Sequence, residues 1–292
     1  MGMSKIAIEA GVPSKKLQTW SDTKEPSEKI EQRLAAWLEE IDRLNADERD
    51  PELVDLDTNA RIMATLEFAR KKQTMAIIVS DAGLGKTESA LRYREDVRGR
   101  WREGGDPKVF YFTAAAHCRS VGQILQALAS AVTGYPISPV FRNSTCVEDI
   151  LYHINPGDLI ICDEAQFLEA GALDSLRFFF DTKQVGIALL GNSALATRLS
   201  GKGRRALFSQ LTSRIGIRLH IDAPKQSDVD LILESWQISG RSERDFAQQI
   251  AAGPGGIRQM VQLLRQARVY ARSMKQPVNL RVMRTAAGAL GL

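Results

Sequence analysis

Long apolar runs are missing from this sequence. None of them approaches the roughly 20 residues that a membrane-spanning helix needs, so no membrane segment is expected. The opening MGMSKIAIEAGVP lacks the apolar core and small-residue cleavage site of a signal peptide, and the expected location is the cytoplasm. Cysteine is scarce: Cys118, Cys146 and Cys162 are too few and too scattered for a disulfide framework or a zinc site. Cys162 lies inside an apolar run and reads as a core thiol. His117, His153 and His220 show no metal-ligand spacing. Aromatic residues form no platform on which single-stranded bases would stack, and no repeat or low-complexity segment appears. The net charge of +4 is mild and becomes informative only where it is concentrated locally.

At 44% hydrophobic content, the 292 residues can bury one good core plus a small accessory domain. Residues 4–21, SKIAIEAGVPSKKLQTWS, read as two short helices around a turn. Ile6, Ala7 and Ala10 mark an apolar face that Gly11 ends; Pro13-Ser14 starts the next helix, where Leu17 and Trp20 recur three apart. This is the pattern of a helix-turn-helix, whose second helix offers Lys15, Lys16, Gln18 and Thr19 to a DNA groove. A small helical cap is the plainer alternative. Residues 26–44 follow as an amphipathic helix with Ile30, Leu34, Trp37, Leu38 and Ile41 on one side. NADERDPELVDLD (45–57) is acidic and aperiodic and reads as a linker.

From about residue 58 strands and helices alternate. MAIIV, KVFYFTA, DLIICDEA and VGIALLGN are near-continuous apolar strands separated by helices, which implies a parallel sheet covered on both faces. Beyond RIGIRLHI the strands stop, and the remainder reads as all-helical. The expected organisation is a helix-turn-helix domain over 1–45, a linker over 46–57, an α/β core over 58–222 and a helical lid over 223–292.

The chemistry concentrates in IIVSDAGLGKTESA (77–90), a strand breaking into a small-residue loop and then a helix. That layout is a phosphate-binding loop, Ser80, Asp81, Ala82, Gly83, Leu84, Gly85, Lys86, Thr87 and Glu88. Its backbone N–H groups and helix end surround phosphates, Lys86 adds a point charge and Thr87 ligates Mg²⁺. Ser80 stands where a glycine is usual, at the entrance rather than on the phosphates, so the loop is expected to remain competent. A second signal should accompany the first. LIICDEA supplies it, with Asp163 for the metal and Glu164 to polarise the attacking water. Asn192 ends the next strand within reach of a γ-phosphate, Arg214 in LFSQLTSRIG is a candidate finger for a neighbouring subunit's site, and Arg258 opens a lid helix in GPGGIRQM. Taken singly, each arginine is better explained by a surface ion pair; their order along the chain is what points to catalysis.

In that order, these motifs resemble an AAA+ ATPase over residues 58–292. Nearly the whole chain further resembles the phage Mu B transposition proteins, through IAIEAGV, AAWLEE, GLGKTESALRYR, IICDEAQFL, LLGN, SRI and the late WQI. The resemblance implies ATP and Mg²⁺ as cofactors and double-stranded DNA bound with little sequence preference. It also implies a homo-oligomeric helical filament on that DNA, a Mu A-like transposase as partner, and hydrolysis that the transposase provokes. Phosphate-directed contacts are then expected from Arg119, Arg142, Lys202, Arg204 and Arg205, with GKGRR the most suggestive loop. Two features depart from the family's pattern: Ser80, and fewer residues ahead of the helix-turn-helix than the family tends to have. Competing readings are a Tn7-like TnsC or TniB target selector, an ATP-gated transcription regulator that reads one operator, and a helicase loader.

Overall fold

The computed structural model describes residues 6–7, 10, 12–23, 27–48, 50–51, 54–100, 108–117, 119–138, 140, 142–200, 211, 213–274 and 276–292. Cys118, Lys202, Arg204 and Arg205 lie outside the described residues. The chain divides into two compact units, residues 1–52 and 53–292.

In the first unit, the Pro13 carbonyl accepts from the N–H groups of Lys16 and Leu17 as α1 (Ser14–Thr23) begins. Proline suits that position because a helix start leaves its first N–H groups unpaired in any case. Ala7, Ala10, Val12 and Leu17 are buried together, and Trp20 packs on them with Ile30, Leu34 and Trp37 of α2 (Glu28–Glu48). Leu38, expected on the same face, is 51% exposed. Helix α2 also continues to Glu48, past the end expected near Leu44, through Ala46 and Glu48, which are good helix formers.

The second unit opens with α3 (Asp57–Lys71) and then alternates: β1 (Met75–Ser80), α4 (Lys86–Arg100), β2 (Val109–Thr113), α5 (Val121–Thr133), α6 (Asn143–His153) and β3 (Leu159–Asp163). A 3-10 turn (Ala165–Phe167), α7 (Ala170–Lys183), β4 (Gly186–Gly191), α8 (Ser193–Ser200) and β5 (Ile215–Ile221) complete the α/β part. Every pairing is parallel and the strand order is β2-β3-β4-β1-β5. Helix α6, like α8, is an element the sequence reading did not separate. Its apolar positions Cys146, Val147, Ile150 and Leu151 are short in number and mostly poor helix formers.

Strand alternation explains why both faces of the sheet are covered. Met75, Ile77 and Val79 of β1 join Ile160, Cys162, Ile187 and Leu189 in the core on one face. Ala76 and Ile78 join Leu159, Ile161, Ala188 and Leu190 on the other, beneath Ile62 and Leu66 of α3 and Tyr93 of α4. The three central strands therefore read as unbroken apolar runs, while edge strands β2 and β5 alternate.

The C-terminal helices α9 (Gln226–Ser235), α10 (Arg241–Ala252), α11 (Gly256–Ser273) and α12 (Leu280–Leu290) bury a core of their own. Met260, Leu263, Leu264, Ala267 and Ala271 give α11 the 3.6-residue apolar stripe that seats it there. One fully buried carboxylate joins these helices to α3. Leu56, at the N-cap of α3, offers no side-chain cap, and Asp228 of α9 takes that place. Its two oxygens accept from the N–H groups of Asp57 at 2.9 Å and Thr58 at 3.1 Å. A helix N-terminus carries both the unpaired donors and the positive end of the dipole, so the buried charge is satisfied there.

Two predictions follow from these contacts. Asp228→Ala should cost about 2 kcal/mol in urea unfolding, the loss of a charged cap, and Asp228→Asn should cost less because one acceptor survives. Equal stability of all three proteins would show that the cap contributes nothing. The second concerns Glu67 on α3. Burial pushes its carboxyl up, but hydrogen bonds from Arg70, Tyr93 and Lys71 outweigh burial and hold it at about 2, against an ordinary 4.5. A depressed carboxyl stabilises the fold above its unfolded value and ceases to do so as pH falls through its folded one. Glu67→Gln should therefore weaken the protein at neutral pH, with the deficit narrowing from pH 4.5 down to about 2; a deficit constant with pH would refute the assignment.

Candidate active site

Parallel strands bring their C-terminal ends to one edge, and β3, β4 and β1 are consecutive neighbours in the sheet. The crevice outside those ends, where the strand order reverses, is where such folds bind ligands. Here β1 ends at Ser80, residues 81–85 turn, and α4 starts at Lys86. Gly83 and Gly85 have φ of +84° and +82°, backbone that residues with a Cβ rarely adopt. Ser80 is not among the positive-φ positions, so a side chain fits at the loop's entrance without strain. That side chain is buried, and its hydroxyl accepts from Lys86 Nζ at 2.8 Å, beside the carbonyls of Ser80 at 2.6 Å and Asp81 at 3.0 Å. Burial pulls the Lys86 ammonium below its ordinary pKa, while Asp163, Glu164 and Asp81 work in the opposite direction. Behind the loop, Ser89 Oγ bonds Asn59 Oδ1 of α3 at 3.1 Å and the Gly85 carbonyl at 2.8 Å.

Two strands away, Asp163 is 2% exposed. Thr87 Oγ1 donates to its Oδ2 at 2.6 Å, Tyr111 Oη to the same oxygen at 2.9 Å, and the Glu164 N–H to Oδ1 at 2.8 Å. Burial above all, against the Thr113 hydroxyl and with the Asp163 carboxylate adding to it, pushes Tyr111 up to about 12, so it serves as a neutral donor. The hydroxyl and carboxylate together are hard oxygen donors of the kind Mg²⁺ takes. Among the described residues no cluster of three or more His, Cys, Asp or Glu could hold a metal ion. Glu164 follows in the left-handed region with φ +54°, and the Gln166 amide donates to its carboxylate. Asn192, just past β4, turns its Oδ1 to the Ala194 N–H at 3.0 Å, and its own N–H donates to Gln166 Oε1.

The lid closes the other side. A cavity of about 690 Å³ lies between Asp81, Ala82, Leu84 and Lys86 of the loop, Glu164, Asn192, the Asp222–Pro224 segment, and residues 251–256. The lid meets the loop backbone to backbone: a Cβ built on Gly83 would fall 1.9 Å from the Gly255 carbonyl oxygen. The Arg258 N–H donates to the Gly83 carbonyl at 3.3 Å.

Thus the structure brings together Ser80, Lys86, Thr87, Asp163, Glu164, Asn192 and the start of the Arg258 helix. It separates Arg214 from them. That residue precedes β5 beside Met75, at the opposite end of β1 and about 17 Å of strand from the loop. Its guanidinium is paired in bidentate fashion with Asp181 at 2.6 and 2.8 Å. Lys15 and Lys16 are exposed on α1. Arg119 and Arg142 are exposed just ahead of α5 and α6, whose N-termini meet: Asn143 Oδ1 lies 2.9 Å from where a Gly122 Cβ would stand. Sequence reasoning missed Tyr111, Asn59, Gln166 and Arg198. Only Tyr111 left a signal, as the polar-tipped residue alternating with Phe110 and Phe112 on an edge strand.

The AAA domain family matches residues 69–199, and the C-terminal part of the Mu B transposition protein matches residues 213–290. The ATP-dependent target DNA activator B of Escherichia phage Mu is 30% identical over 291 residues, 98% of this chain and 89% of the relative. The chain belongs to the Mu B transposition protein family. The activator B of Escherichia phage D108 matches with the same identity and coverage. Among solved structures, the Aeropyrum pernix ORC1 protein in complex with DNA superposes with a TM-score of 0.62 at 19% identity, over 83% of this chain and 67% of that one. At that identity the likeness is one of fold. As a Mu B family member with an AAA domain, the protein is an ATPase. No helix among the described residues is long and apolar enough to cross a membrane.

The loop geometry makes a direct prediction. Gly83→Ala forces a side chain into positive φ and onto the Gly255 carbonyl, and should weaken binding of a fluorescent ATP analogue about tenfold or more. Unchanged affinity would mean that the loop and lid need not keep this contact when nucleotide binds.

Proposed function

We propose that this Mu B family ATPase is an ATP-dependent activator of target DNA in transposition, binding duplex DNA with little sequence preference and delivering it to a transposase. The observation that carries the reading is Thr87 Oγ1 set 2.6 Å from Asp163 Oδ2 beside the Gly83–Gly85 loop, in a chain with this family's sequence. Thr87 and Asp163 would hold Mg²⁺, which would supply charge neutralisation to the nucleotide's phosphates. Residues 81–88 cradle the phosphates, with Lys86 exchanging loop carbonyls for phosphate oxygens. Glu164 orients and polarises the attacking water, and Asn192 faces the γ-phosphate from β4. Arg258 approaches from the lid.

Arg214 is too far from its own loop to act there, which supports a role on a neighbour's γ-phosphate, worth roughly 10³–10⁵ in rate when correctly placed. Its pairing with Asp181 must then be traded for phosphate as subunits assemble. On this reading hydrolysis depends on a homo-oligomeric filament along DNA. Sequence-blind phosphate contacts come from Arg119 and Arg142 at the paired helix ends, from Lys202, Arg204 and Arg205, and from Lys15 and Lys16 of a helix-turn-helix. Charge supports a polyanionic partner: residues 253–292 hold seven cationic side chains and no acidic one, though the whole chain is only +4. A cytoplasmic setting fits this role.

The test is binding to a scrambled duplex with an ATP analogue, ADP or no nucleotide, at one salt concentration. Tight, length-dependent binding with the analogue alone is expected. Binding indifferent to nucleotide, or restricted to one sequence, would overturn the reading in favour of a transcription regulator.

A further inference from the structure

Gln166, to which the proposed mechanism assigns nothing, lies in the 3-10 turn just after Glu164 and is half-buried. Its carboxamide is engaged at both ends. Nε2 donates to Glu164 Oε2, and Oε1 accepts from the Asn192 N–H at 3.3 Å. A Cβ on Gly191 would stand 2.7 Å from that same Oε1, so β4 ends in glycine where the amide crosses it. The turn is itself clamped from α8: Arg198 donates to the carbonyls of Gln166 and of Leu168, the latter at 2.5 Å. Glu164 meanwhile holds a left-handed backbone, which persists only where the surroundings over-determine it.

Few side chains make both contacts. Glutamate has no N–H to donate and would set a second negative charge against Glu164. Asparagine is one methylene short, and an apolar side chain makes neither bond. The amide joins the two polar groups that end β3 and β4, which no backbone pairing connects beyond Cys162 and Leu189.

We propose that Gln166 is a positioning residue for ATP hydrolysis, a two-ended clip that ties the Glu164 carboxylate to the end of β4, so that Glu164 and Asn192 face the cleft as one unit. The proposal rests on Glu164 being the water-polarising base.

Steady-state hydrolysis and binding of a non-hydrolysable ATP analogue test it on the full chain with duplex DNA present. The variants are Glu164→Gln, Gln166→Ala, Gln166→Glu and the double variant Glu164→Gln with Gln166→Ala. Gln166→Ala should lower kcat about 10- to 100-fold, the loss that a displacement of about 1 Å produces. Analogue affinity should stay within about twofold, because the clip acts on the base and not on the nucleotide. Gln166→Glu, nearly equal in volume, should lose more. In the Glu164→Gln background, Gln166→Ala should cost nothing further, since residues acting as a unit are not additive.

An unchanged kcat in Gln166→Ala, additive losses in the double variant, or affinity falling in step with kcat would overturn the proposal. Should Glu164→Gln itself keep full turnover, the base assignment fails and the proposal with it. Should Glu164→Gln be inactive while both Gln166 variants turn over normally, the clip alone is refuted.

Discussion

A carboxylate shut away from water sets the terms at the C-terminal edge of the sheet. Buried as it is, Asp163 would be costly without partners, and it is satisfied by donors from three different places: Thr87 on α4, Tyr111 on β2 and the Glu164 backbone. Meeting that demand dictates where α4 begins relative to β3. The loop has only residues 81–85 to cover the gap from β1, so its glycines must turn where they do. The same bonds leave Glu164 displayed at the rim of the cleft.

Much of this was legible in the residues. The three central strands could be read because burial on both faces makes them apolar without interruption, and the loop because few sequences other than a phosphate cradle place Gly-x-Gly-Lys-Thr after a strand. Asp163 and Glu164 could be read because an acidic pair ending an apolar strand, common enough alone, follows the Gly-Lys-Thr loop by about eighty residues. Gln166, Asn59 and Arg198 could not. Each acts through a partner far away in sequence, and a single glutamine, asparagine or arginine carries no period or spacing that would announce it. Helix α6 escaped for a different reason, having too short an apolar stripe to stand out. Asp228 was hidden too, since an acidic residue near the start of one helix gives no hint that it caps another.

A parallel sheet also has two unlike ends. Loop, buried carboxylate and lid gather at one, while the Arg214–Asp181 pair sits at the other, so the cleft and this ion pair are separated by the length of a strand.

The meeting of Gly83 with Gly255 has an evolutionary corollary. The contact between these two residues consists of main-chain atoms on both sides, so its closeness is set by the backbone of loop and lid. Variation among relatives would have to tune the lid elsewhere, through the Ala223–Pro224 approach or the α9–α3 junction. The loop–lid seam is then a fixed point that a change of side chain elsewhere must respect.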